Sequence, residues 1–135
     1  MDILKRFEVS YYPSGKDAVE LVLCFDSGSP YTFIKRSSAS SVGRPIELVE
    51  SEPFGGLGGG NFGSKEVMLL HAKVLEFWCR QWAYVVEDNI LETGYDILAG
   101  HDFMQLYGIK LIPHNGDIEI DDVRLRLSQR VRHGV

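Results

Sequence analysis

The feature that most constrains this chain is LVLCFDSGSPYTFI, residues 21 to 34, where five apolar residues run directly into an aspartate followed by Ser-Gly-Ser. Leu21 to Phe25 reads as a buried strand. A carboxylate on an exposed loop needs no such approach, and burial disfavours the ionised form of whatever ends a core strand. Asp26 is therefore placed by the fold. Whatever architecture the chain adopts must end a core strand at a charged, glycine-containing turn.

A chain of 135 residues fits one domain, 1–135, large enough to bury a core. Hydrophobic residues at 44% and charged residues at 24% argue against disorder. The apolar runs fall far short of the ~18 residues of a membrane span, and no secretory signal pattern opens the chain. Two cysteines, Cys24 and Cys79, make no disulfide framework, so a reducing cytoplasm is the expected location. The net charge of −5 is uneven, because Arg124, Arg126, Arg130 and Arg132 follow the last acidic residue, Asp122. Without interleaved aromatics this basic end reads as a solvated strand face or tail, and neither nucleic acid nor membrane is expected as a partner.

Ile3, Phe7, Val9 and Tyr11 share one parity, and Pro13-Ser14-Gly15 turns the chain into a hairpin returning through Val19 to Phe25. The piece Ser37 to Ser41 reads as a loop and residues 46–50 as a short strand. PFGGLGGGNFG, residues 53 to 63, has six glycines in eleven positions and reads as mobile, with Phe54 and Phe62 facing each other across a hairpin. Val67, Leu70, Val74 and Trp78 have helical spacing, but β-branched and aromatic residues favour strands at 66–77 and 80–87, with Trp78 and Trp82 flanking the turn. Asp102 is the expected cap of a short helix through Tyr107, stopped by Gly108. A hairpin follows, 109–112 with 117–120 around Pro113 to Gly116, and then a last strand near 123–127. The fold class is all-β, a closed sheet with one short helix near 102–107.

Peptide hydrolysis by carboxylates alone needs two of them close together. Like charges about 3 Å apart do not both ionise, so one becomes base and the other acid around a water. The chain holds one Asp-Ser-Gly, and half a dyad finds its other half in a second copy across a two-fold axis.

The sequence resembles the retropepsins, the single-lobe homodimeric aspartic proteases of retroviruses and their cellular relatives. The matching features are Asp26-Ser27-Gly28-Ser29 with Thr32 six positions after the aspartate, a glycine-rich element at 54 to 60, and Ile97-Leu98-Ala99-Gly100-His101-Asp102-Phe103-Met104 followed by Gly108. The resemblance implies a single-lobe acid-protease fold and a homodimeric aspartic endopeptidase acting on extended peptides. It implies no organic cofactor and no metal. Asp26 would be catalytic, Ser27 would bond across the axis, Gly28 would let substrate pass, and Ser29 and Thr32 would support the loop. Phe54, Gly55, Gly56, Leu57, Gly58, Gly59 and Gly60 would form a flap. Many retroviral members pair an acidic residue four positions after the catalytic aspartate with an arginine after the later glycine. Here Pro30 and His101 stand there, so terminal strands are expected to hold the dimer. Ser29 stands where many have alanine, and its hydroxyl, donating to the carboxylate, would weight activity toward acidic pH.

Three other readings compete. A non-catalytic dimeric peptide-binding module would keep the same fold and groove. Gly58, Gly60 and Gly63 fit GxGxxG, which would bind a dinucleotide if 67–78 were a helix in a parallel βαβ unit. Cys24 as a nucleophile conflicts with its place in an apolar strand, and the four histidines are too scattered for a metal site.

Overall fold

A computed structural model describes residues 2–55 and 60–133, with side chains as far as Gln129. The parity of the first strand holds: β1 (Ile3–Ser10) buries Ile3 and Val9 and pairs antiparallel with β2 (Val19–Phe25), from Ile3 opposite Phe25 to Val9 opposite Val19. The Ser10 hydroxyl fixes the turn between them, accepting from the Tyr12 N–H at 3.0 Å and donating to the Lys16 carbonyl at 2.6 Å. Gly15 is at φ 81, where a Cβ would lie 2.2 Å from the Trp78 ring, so only glycine fits this turn.

Past β2 the sheet stops following chain order. It runs β1-β2-β7-β3-β6-β5-β4, and β1 also pairs with β5 through Val9–Ala72 and Ser10–His71, closing six strands into a ring. The closing strands are β3 (Phe33–Lys35), β5 (Phe62–Val74), β6 (Phe77–Val86) and β7 (Ile97–Ala99); β4 (Ile46–Phe54) pairs with β5 outside the ring. The three-residue β7 is wholly buried, parallel to β2 on one side and antiparallel to β3 on the other. β2 and β3 read as continuous apolar runs because both their faces are covered. Leu23, Ile34, Met68, Leu70, Val85 and Ile97 share the main core, while Cys24, Phe33, Val86 and Leu98 turn to a second cluster.

Three expectations about helices change. The fold remains mostly β, but the described residues include three α-helices: α1 (Arg36–Val42), α2 (His101–Tyr107) and α3 (Asp122–His133). The serine piece expected as a loop is α1, because the Asp88 carboxylate accepts the Ser37 N–H at 3.1 Å and the Ser40 and Ser41 hydroxyls bond back to helix carbonyls. Tertiary contact here overrides serine's weak helix preference. The expected strand at 123–127 is the first half of α3. Its alternating Val-Arg-Leu-Arg-Leu mimics strand period, but Leu125 and Gln129, one turn apart, are the buried pair, and the Asp121 carboxylate caps the Arg124 N–H at 3.1 Å. Gly100, not Asp102, occupies the cap position of α2, and Gly108 at φ 69 ends it as expected.

Residues 67–78 form strand β5 and the start of β6, antiparallel to each other, so the dinucleotide reading loses its helix and its βαβ unit; Gly58 lies outside the described residues. Trp78 and Trp82 both lie within β6 rather than flanking its turn, which falls at Leu75 and Glu76. The hairpin of β8 (Ile109–Ile112) and β9 (Asp117–Ile120) forms as expected. No described helix is long and apolar enough to cross a membrane.

Leu125 is fully buried and fastens α3 to the main core. Leu125→Ala is expected to destabilise the fold by about 2–5 kcal/mol, read as a lower urea midpoint. An unchanged midpoint would mean that α3 is not part of the cooperative unit.

Candidate active site

Two strands deliver the site. Because β2 and β7 are parallel neighbours, they end level with each other, Phe25 opposite Ala99. The Asp26 N–H then continues the ladder, donating to the Ala99 carbonyl at 3.0 Å. The chain turns at once: the Ser29 N–H donates to the Asp26 carbonyl at 3.1 Å, and the Gly28 N–H donates to Asp26 Oδ1 at 2.9 Å. One carboxylate oxygen is thereby aimed by the backbone, and Oδ2 makes no hydrogen bond among the described residues. A Cβ on Gly28 would stand 3.2 Å from Oδ1 and crowd it. Asp26 is half-buried, and Ser27 and Gly28 are exposed.

The loop is held from below by residues after β7. The His101 N–H donates to the Ser29 carbonyl at 2.7 Å. Thr32, 2% exposed, works in both directions: its hydroxyl accepts the Gly100 N–H at 3.1 Å and donates to Asp102 Oδ1 at 2.7 Å. Asp102 Oδ1 also accepts the Phe103 N–H at 2.8 Å, and Oδ2 accepts the Gln81 amide at 2.9 Å. Asp102 therefore ties the loop to α2 and β6, a role beyond the helix cap expected of it. Gln81 was not legible as a site residue, although its signal was present: it is the one polar residue on the buried parity Cys79, Gln81, Ala83, Val85.

Ser29 departs from expectation. Its hydroxyl has a single hydrogen, and that hydrogen goes to the Tyr31 carbonyl at 2.7 Å. Ser29 therefore offers Asp26 no proton, and the expected weighting toward acidic pH loses its donor. Cys24 is also excluded as a nucleophile: burial first, then the charges of Asp2 and Asp26, push its thiol up to about 11.

The glycine-rich hairpin reaches this loop through aromatic rings. Phe54 and Phe62 are paired in register and stacked at 5.4 Å, as the sequence suggested. Phe54 also meets Tyr31 at 5.7 Å, Phe33 at 5.0 Å and Tyr84 at 4.7 Å, so the base of the hairpin packs against the segment that follows Asp26. Gly55 and Gly60 are exposed at the two ends of the tip; Gly56, Leu57, Gly58 and Gly59 lie outside the described residues.

Replacing Thr32 by valine keeps its shape and removes both hydrogen bonds, leaving the buried Gly100 N–H without a partner. The expected cost is about 1–3 kcal/mol in chemical unfolding, largely restored in Thr32→Ser. Equal stability of the valine and serine variants would refute this role.

No protein-family model matches the sequence, and no curated protein matches it. Solved structures do match. The EIAV protease, in complex with an inhibitor, superposes with a TM-score of 0.60 at 16% identity, over 83% of this chain and 93% of that one. The retroviral protease-like domain of Ddi1 from Leishmania major superposes with a TM-score of 0.56 at 12% identity, over 87% of this chain and 86% of that one. With its six-stranded ring, its level strand ends and the helix after Gly100, the chain has the retropepsin-like, single-lobe acid-protease fold.

Proposed function

We propose that the chain, as a single domain over residues 1–135, is an aspartic endopeptidase that works as a homodimer on extended peptide segments. The observation that carries this reading is the presentation of Asp26: the carboxylate is aimed by the Gly28 N–H, and no other carboxylate of the described chain is hydrogen-bonded to it. A lone oriented carboxylate with a free oxygen is half of an acid–base pair, and a second copy supplies the other half.

In the dimer the two Asp26 side chains share one proton. The ionised member takes a proton from a water between them as that water attacks the scissile carbonyl. The protonated member donates to the carbonyl oxygen as the tetrahedral intermediate forms, and the pair returns a proton to the leaving amine. Ser27 bonds across the axis, Gly28 admits the substrate backbone, and residues 54 to 60 close over it as a flap to exclude water. A hollow of about 670 Å³ lined by Ser27, His101, Met104, Ile109 and Leu111 reaches the loop at Ser27 and supports seating of the second copy there. Ile109 and Leu111 of β8 border that face, while the last described element is α3 rather than the terminal strand expected to hold the dimer in place of an ion pair at Pro30 and His101.

The purified protein is expected to sediment as twice the 15.2 kDa chain and to cleave an unfolded protein substrate. A statine-type transition-state mimic should block cleavage. Asp26→Asn should lower turnover by at least about 100-fold while leaving the dimer intact. Peptide binding without cleavage at any pH would support the non-catalytic module instead, and a monomer at working concentration would refute the shared dyad.

A further inference from the structure

A second hollow of about 600 Å³ lies on the far side of the Asp102 node, between β6, α2 and α3. Its walls are Trp82, Leu106 and Leu127, which are 47%, 49% and 52% exposed, with Tyr107 behind them. Three large apolar side chains standing half-open around one hollow of this size make it a candidate for binding.

Three observations define what fits it. The first is charge. Arg6, Arg36 and Arg126 each have a carboxylate within 3.3 Å, whereas Arg80 and Arg124, both lining the hollow, have no ion-pair partner among the described residues of a chain with net charge −5. The Asp102 carboxylate on the floor is engaged by Thr32, Gln81 and the Phe103 N–H.

The second is the edge of β6. The Tyr84 N–H donates to the Thr32 carbonyl at 3.0 Å, so strand alternation turns the N–H groups of Trp82 and Arg80 to the same edge, away from β5 and beyond the start of β3 at Phe33. On that edge the carbonyls are already covered, Arg80 by the Tyr107 hydroxyl and Trp82 by the Gln81 amide. What the edge offers is donors. The third is continuity: Gln81, Trp82 and Asp102 also line a recess of about 380 Å³ with Tyr31 and Tyr84, which meet the base of the glycine hairpin at Phe54.

We propose that this hollow docks an extended acidic segment with large apolar side chains, carried by the protein substrate where it leaves the cleft past Tyr31; the assignment to substrate rests on the peptidase reading. Carboxylates of the segment meet Arg80 and Arg124, its carbonyls accept from the β6 edge, and its apolar side chains fill the space between Trp82, Leu106 and Leu127.

The test uses the Asp26→Asn protein, which binds without turnover, and a fluorescein-labelled octapeptide alternating Glu with Leu and Phe. Saturable anisotropy is expected, weakened about tenfold or more by Arg80→Glu and by Trp82→Ala, and lost when Lys replaces Glu in the peptide. Arg124 borders the proposed dimer face as well, so it is left unchanged. Titrating the unmutated groove should shift the Trp82 indole N–H resonance, a readout independent of whether the groove variants fold. Absence of saturable binding, equal binding by the groove variants or the Lys peptide, or an unmoved Trp82 resonance would overturn the proposal. A wild-type protein that binds the peptide yet cleaves nothing keeps the groove and sinks the peptidase reading, whereas one that cleaves normally without binding does the reverse.

Discussion

A Cβ on Gly100 would lie 2.2 Å from the Tyr31 carbonyl oxygen and 2.7 Å from that of Ser29, so the segment leaving β7 and the loop leaving β2 meet backbone against backbone. No side chain fits that crossing, and backbone atoms do not move aside as a flexible side-chain end does. The hydrogen bonds around it follow from the close approach: Asp26 to Ala99, His101 to Ser29, Gly100 to Thr32. Thr32 then hands the constraint to Asp102, and Asp102 passes it to α2 and β6. The orientation of Asp26 is thus set by three elements distant in sequence, which is how a short loop is held in one conformation.

Much of this was readable from residue order because the signals were local. The hairpins at 3–25 and 109–120 are turn chemistry between alternating strands, and the Phe54–Phe62 pair follows from symmetric placement about a glycine run. The Asp26 motif stood out because a charge interrupts a buried strand. What failed was decided at long range. Ser37 to Ser41 is helical because Asp88, some fifty positions later, supplies a cap, and 123–127 is helical because only Leu125 of its apolar residues finds the core. The Ser29 hydroxyl was expected to serve the carboxylate, but the turn after Asp26 brings the Tyr31 carbonyl within 2.7 Å, and that carbonyl takes its hydrogen. Gln81 looked like an ordinary polar residue of a strand until the fold carried it beneath Asp102.

The molecule separates two kinds of packing. Inside the ring the core is mostly aliphatic, with Phe25, Phe103 and Tyr107 among its members and the Tyr107 hydroxyl donating to the Arg80 carbonyl. Outside it, the second cluster is rich in rings, with Phe33, Phe54, Phe62 and Tyr84 meeting mostly edge to face. These ring contacts lie where the glycine-rich hairpin joins the body. The loop that carries Asp26 therefore rests on hydrogen bonds, and the base of the hairpin beside it on aromatic contacts.

The position of β7 has a consequence for how the chain matures. Its three residues fill the gap between β2 and β3, strands that precede it by more than sixty positions. Synthesis proceeds from the N-terminus, so a nascent polypeptide exposes the apolar flanks of β2 and β3 until residue 99 has left the ribosome, and the ring stays open through that interval. Pairing across such separations is slow once it becomes available. Translation speed over the stretch from β3 to β7 thus sets how long two sticky edges stay unguarded.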